Sequence, residues 1–305
     1  MSAFASPSVE TLTEVNLVDL LDAIGLLRLH GTPFCRLLRP TALRFARTAH
    51  EFDTRVGAHG LAQGSAWLMD RMTGGLLTTG LEHVPPQGPL MILANHPGLT
   101  DTVALFSSLA LRPDLRVIAS ERPFLRALPH VARQLIFLPD DEAGRMAVVR
   151  AAARHLQEGG ALLTFPAGEI EPDPAAFGAQ RAAAALQNWS NSFAVFARLV
   201  PHTRFVPALV SHVISREAQR HPLTLLRHTA HDKEKLAAAL QVALPRYRRD
   251  VARVAFGVAT SAVAVGRPQA LAASIAAQMR QLILADGPTV RSTESPGRMG
   301  VSGTA

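Results

Sequence analysis

Leu90-Met91-Ile92-Leu93-Ala94-Asn95-His96-Pro97-Gly98-Leu99-Thr100-Asp101 decides how this chain is read. Its first five residues are a short apolar run closed by turn residues, the pattern of a strand. Pro97 biases His96 towards an extended backbone and ends that strand, and Gly98 permits a sharp turn. The next stretch, Thr102–Leu111, reads as a helix. Asp101 therefore falls in a first helical turn, where the positive end of the dipole favours a carboxylate. On one continuous helix His96 and Asp101 would point about 140° apart; across the Pro-Gly bend their side chains can converge. A carboxylate bonded to one imidazole nitrogen fixes the tautomer and leaves the other nitrogen to take a proton from a hydroxyl. The plainer reading is an ordinary strand–turn–helix in which Asp101 only caps and His96 has no part.

The same texture continues outward. Leu162-Leu163-Thr164-Phe165-Pro166-Ala167-Gly168-Glu169 is again an apolar run entering a Pro/Gly turn. If the two strands are parallel, both turns lie at one carboxyl edge, where open α/β sheets place their sites. The turn at Gly168 offers backbone N–H groups to an acceptor or an oxyanion. Further strands are expected at Leu115–Ala119, Leu135–Leu138, Phe205–Val210 and Val251–Phe256, and helices at Arg145–Gln157, Lys233–Leu244 and Pro268–Ala285. Strands alternating with helices predict an α/β domain over residues 81–285, with a mixed, mostly parallel sheet flanked by helices.

Ahead of it, residues 11–80 read as helical, with Leu17, Leu20, Leu21, Ile24 and Leu27 at helical spacing, so residues 1–80 form an N-terminal helical segment. Within it Phe34, Leu37, Leu38, Leu43, Phe45 and Phe52 stand beside Arg36, Arg39, Arg44, Arg47 and Arg55. Such a basic amphipathic stretch lies in a bilayer interface or faces a core with its arginines solvated, and both readings stay open. Residues 286–305, rich in Ser, Gly, Pro and Thr, read as a disordered tail.

Composition narrows the function classes. The 305 residues are 48% hydrophobic, enough for a sizeable core. Formal net charge is +7, and all but two of the 31 basic residues are Arg, the exceptions being Lys233 and Lys235. That balance points to anionic partners. Aromatic residues make up only 5%, and no interleaved basic–aromatic surface is visible, so nucleic acid is not expected as a partner. Cys35 is the single cysteine, which excludes an internal disulfide and any cysteine-built zinc site. His228-x-x-His231 lacks further ligands at regular spacing, and no metal is expected. Met1–Glu10 lacks the basic region of a signal peptide, and Val254–Gly266 falls short of the ~20 residues of a spanning helix. Serine-hydrolase, dinucleotide and P-loop motifs are absent from the sequence. Glu171-Pro172-Asp173-Pro174 offers two carboxylates after the Gly168 turn, which either shape an acceptor pocket or, by default, form a rigid exposed loop.

Asn95-His96 with Asp101 resembles the Asn-His-x4-Asp motif of the phospholipid and glycerol acyltransferase family. Phe165-Pro166-Ala167-Gly168-Glu169 resembles its Phe-Pro-Glu-Gly block, and Phe205-Val206-Pro207-Ala208 its later Val-Pro block, in the same order. The resemblance spans roughly residues 81–285. It implies the glycerolipid acyltransferase fold and transfer of a fatty acyl group from acyl-CoA or acyl carrier protein to the hydroxyl of a lysophospholipid-like or other lipid acceptor. It further implies His96 as general base, Asp101 as its orienting partner, no cofactor beyond the acyl donor, and a place in phospholipid biosynthesis. Substrate-binding residues expected on this basis are Asn95, Phe165, Pro166, Gly168 and Glu169, and the expected location is the cytoplasmic face of a membrane, held peripherally among phospholipids.

The motif also departs from the family pattern. Ala167 stands where Glu is usual, Ile170 where an Arg commonly binds the acceptor phosphate, and Pro139-Asp140 where an Asp-Arg pair ends another block. Arg122 and Arg145 are the nearby replacements expected to bind substrate. A non-catalytic lipid-binding protein on the same fold and an acyl thioesterase are the competing readings.

Overall fold

A computed structural model describes residues 9–139, 141–261, 263 and 268–287. Apart from Asp286 and Gly287, the tail read as disordered lies outside the described residues. The chain opens with α1 (Val9–Ala23), α2 (Cys35–His59) and α3 (Leu61–Met72). Leu12, Leu17 and Leu21 bury one face of α1, and Ala42, Ala46, Ala49, Phe52 and Val56 bury one face of α2. Gly60, at φ +84°, ends α2, its N–H bonded to the Val56 carbonyl. Arg39 of α2 pairs with Glu14, at 2.9 Å, and with Glu10 of α1.

Among the described residues eight strands follow: β1 (Leu76–Thr79), β2 (Leu90–Ala94), β3 (Arg116–Ser120), β4 (Leu135–Leu138), β5 (Ala161–Thr164), β6 (Arg204–Ser211), β7 (Ala252–Phe256) and β8 (Thr260–Ser261). They form one sheet in the order β1-β7-β6-β2-β5-β3-β4, with β8 on β6. The block β6-β2-β5-β3-β4 is parallel throughout, while β7 and β8 run antiparallel to β6. β1 pairs parallel with β7.

Side chains along β2 alternate between two cores, as period-two geometry requires. Leu90, Ile92 and Ala94 pack with α4 (Asp101–Ser108) through Ala104, Leu105 and Phe106. Met91 and Leu93 pack on the other face with Ala152 and Leu156 of the helix Glu142–Gln157 and with Leu271 and Ile275 of the helix Pro268–Ala285. Apolar residues on both faces of the central strands explain their continuous runs. The N-terminal helices are tied to this body by Asp53, a buried carboxylate that accepts from the N–H groups of His130 and Val131, each at 2.9 Å.

The α/β class and the six expected strands are borne out, within a residue or two at their ends. The helical reading of residues 11–80 needs correction: the helix ends at Met72, and Leu76–Thr79 is strand β1. β1 alternates half-buried and exposed residues, and what makes it a strand is a partner 176 positions away, Ala252 opposite Leu76. The amphipathic stretch of α2 is mostly core-facing. Phe52 is buried, Phe45 stacks on Phe124, and Arg55 lies over Trp67 while pairing with Glu51.

Candidate active site

β2 ends at Ala94, and Asn95 continues its alignment: its amide oxygen accepts from the Val210 N–H at 2.7 Å and its amide nitrogen donates to the Val210 carbonyl at 2.8 Å. The chain then bends sharply. Gly98, at φ +90°, and Leu99, at φ +57°, are both in the left-handed region, which a glycine enters freely and a leucine does not. A Cβ on Gly98 would lie 3.2 Å from Cδ1 of Ile170, so the turn is also closely covered.

The bend swings Asp101 back onto the histidine. Nδ1 of His96 lies 2.7 Å from Oδ2 of Asp101. That oxygen also accepts from the Gly98 N–H at 2.7 Å, and Oδ1 accepts from the N–H and hydroxyl of Thr102. An ionised carboxylate with these donors makes Nδ1–H the imidazole tautomer, leaving Nε2 as a lone-pair base with no partner among the described residues. Asp101 is fully buried, and the His96 side chain is 29% exposed. One member of the pair therefore sits in the protein while the other faces outward.

Burial alone would push the His96 imidazolium down. The Asp101 carboxylate, through charge and hydrogen bond, and Glu171, through charge, outweigh it and raise the imidazole above its ordinary value. Burial would likewise push Asp101 up, but His96 and the Gly98 and Thr102 N–H groups hold it below the usual carboxylate range.

β5 is the parallel neighbour of β2, so the turn after it lies at the same edge. Phe165 stacks on the His96 ring, centroids 4.4 Å apart. Pro166 is buried, and its carbonyl accepts from the Ser190 N–H. Gly168 takes φ +69° and closes the turn with its own N–H on the Phe165 carbonyl, so that N–H is committed and not offered to an oxyanion. Glu169 is exposed and accepts from the Asn188 amide.

Of the other residues expected at substrate, Asn95 is buried and engaged with the Val210 backbone. Arg122 precedes the short helix Pro123–Arg126 beyond β3, and Arg145 lies early in the helix Glu142–Gln157 beyond β4. Both are exposed at the carboxyl edge, two and three strands from β2, roughly 10 and 15 Å along the sheet.

The loop after Gly168 is not the exposed segment its sequence suggested. Glu171 and Asp173 are both buried. Glu171 donates its N–H to the His96 carbonyl at 2.8 Å and accepts the His96 N–H at 3.0 Å. Its other oxygen accepts from the Trp189 indole at 2.7 Å. Burial pushes its carboxyl up to about 7, against the opposing pull of these donors. Asp173 accepts four backbone N–H bonds, from Ala175, His212, Val213 and Ile214. Two carboxylates in a Pro-punctuated tetrapeptide were the available signal; their partners are backbone groups and one indole, which no spacing in the sequence reveals.

Fold and dyad together define an α/β domain that carries a carboxylate-oriented histidine at the carboxyl edge of its parallel strands. Residues 76–211 match the family described as Acyltransferase. The chain is also similar to a solved structure, the 1-acyl-sn-glycerophosphate (LPA) acyltransferase PlsC from Thermotoga maritima, at 11% identity and a TM-score of 0.46, over 88% of this chain and 96% of that one. No curated protein matches the sequence.

Proposed function

We propose that the chain transfers a fatty acyl group from acyl-CoA or acyl carrier protein to the hydroxyl of a lysophospholipid-like or other lipid acceptor. The observation that carries this is the 2.7 Å bond from His96 Nδ1 to a buried Asp101, which leaves Nε2 without a partner among the described residues and able to act as a base. Nε2 takes the acceptor's hydroxyl proton as that oxygen attacks the thioester carbonyl. The tetrahedral intermediate then collapses, the C–S bond breaks, and the imidazolium returns the proton to the leaving thiolate. No acyl-enzyme is needed. The oxyanion requires donors, and those of His96, Gly98, Gly168 and Glu171 are occupied. The N–H groups of Leu99 and Thr100, at the head of α4, have no acceptor among the described residues and are the donors we assign.

The enzyme acts at a membrane surface, on the cytoplasmic face in this reading. No helix among the described residues is long and apolar enough to cross a membrane. With most of α2 turned inward, the lipid-facing part contracts to the α1–α2 connection and the first turn of α2, where Leu27 and Leu37 are 46% and 73% exposed beside exposed Arg28 and Arg36. The three N-terminal helices dock, and the α/β domain reacts.

His96→Ala is expected to lower thiol release from acyl-CoA, assayed with a panel of lysolipids, by about 10³-fold with an unchanged circular dichroism spectrum. Undiminished turnover by that variant would sink the assignment. Thiol release without acceptor would make the chain a thioesterase. Lysolipid binding without release would make it a non-catalytic lipid-binding protein.

A further inference from the structure

We propose that Glu171 is a positioning residue for His96: it clamps the histidine backbone at the end of β2 and places a second negative charge beside the imidazole. This rests on the reading of His96 as the base. The clamp is reciprocal, with the N–H of each residue bonded to an oxygen of the other, the Glu171 carboxylate on one side and the His96 carbonyl on the other. A strand end so held fixes the backbone from which the imidazole projects, and shifting that backbone breaks two hydrogen bonds. The remaining carboxylate oxygen is fixed by the Trp189 indole, so the charge has one place to be.

The charged groups acting on Glu171 are His96 and Glu169, and those acting on His96 are Asp101, from α4, and Glu171. Asp101 grips Nδ1 directly, whereas Glu171 acts through the backbone and through space. Burial pushes the Glu171 carboxyl up to about 7, and its charge and that of the imidazole favour each other. Loss of the Glu171 proton makes the imidazole hold its own more tightly, and an imidazolium makes the carboxyl release its proton more readily. The two titrations are therefore linked and belong to neither residue alone. The pH–rate profile of the intact enzyme should accordingly rise over a wider range than one ionisation allows.

The test is Glu171→Gln in the full chain, read by NMR titration of the His96 ring, whose signal is identified by its loss in His96→Ala. Glutamine keeps one acceptor oxygen and removes the charge. The imidazole is expected to titrate at lower pH, in a single step, and the acidic limb of the kcat profile to narrow and move the same way. The plateau should fall by roughly 3- to 10-fold because the base is weaker. Trp189→Phe keeps the carboxyl but withdraws its indole donor, delaying ionisation of Glu171, and should shift the imidazole in the same direction by less. It carries the test if the glutamine variant does not fold. A His96 titration curve identical to wild type in the folded variants overturns the proposal and leaves a structural clamp. The NMR reading needs no turnover, so retained acyl transfer by His96→Ala would refute the role of His96 separately from this coupling.

Discussion

Asp101 accepts bonds from the imidazole, the Gly98 N–H and two groups of Thr102, so it is built to stay ionised while the histidine changes charge. Asp101→Asn keeps the volume but removes that charge and favours the wrong tautomer. We expect kcat to fall by about 10³-fold or more with KM for the acyl donor little changed. What activity remains should rise with pH from a lower value, because the group that lifts the imidazole is gone. Steady-state kinetics between pH 5 and 9 check this, and an unshifted acidic limb would contradict it. This pair was legible in the sequence because a proline and a glycine between His96 and Asp101 make sense only if the chain turns back on itself. Glu171 was not. Its place in a Glu-Pro-Asp-Pro run argued for an exposed loop, and its burial depends on Trp189 and on the His96 backbone.

The segment after β5 serves a second purpose. Four backbone N–H groups converge on Asp173, three of them from residues 212–214, where the chain leaves β6 and His212 adopts φ +61°. Asp173→Ala would leave those donors buried without acceptors and is expected to cost about 3 kcal/mol or more, read as a lower urea midpoint. Retention of wild-type stability would show that water replaces the carboxylate. Elements legible in the sequence are those whose signal is local. The apolar runs of β2 and β5 and the helix Glu142–Gln157 were expected close to where they lie. β1 was not, because Leu76–Thr79 has no strand pattern of its own and owes its conformation to pairing with Ala252–Ala255.

Across the molecule, stability should depend on pH in a way the site predicts. Glu171 holds its proton up to about 7 when folded and near 4.5 when unfolded, so the native state binds more protons over that range and stability falls as pH rises through it. His96, raised by Asp101, stabilises fully below the unfolded imidazole value and loses that contribution as pH passes its own folded value. Asp101 acts oppositely, adding stability that disappears only as pH falls through its depressed value. Urea unfolding should therefore show lower stability at pH 8 than at pH 5. The difference should shrink in Glu171→Gln by up to about 3 kcal/mol, the equivalent of the Glu171 shift; an equal slope in both proteins would count against it. The edge pairing of β1 with β7 has a further consequence, for biosynthesis. A nascent chain must extend past residue 256 before the strand at 76 meets its neighbour, so the N-terminal helices wait for most of synthesis before their attachment to the sheet is complete. A ribosome paused before that point would carry an open β6 edge, a site for chaperone binding or for pairing between neighbouring chains.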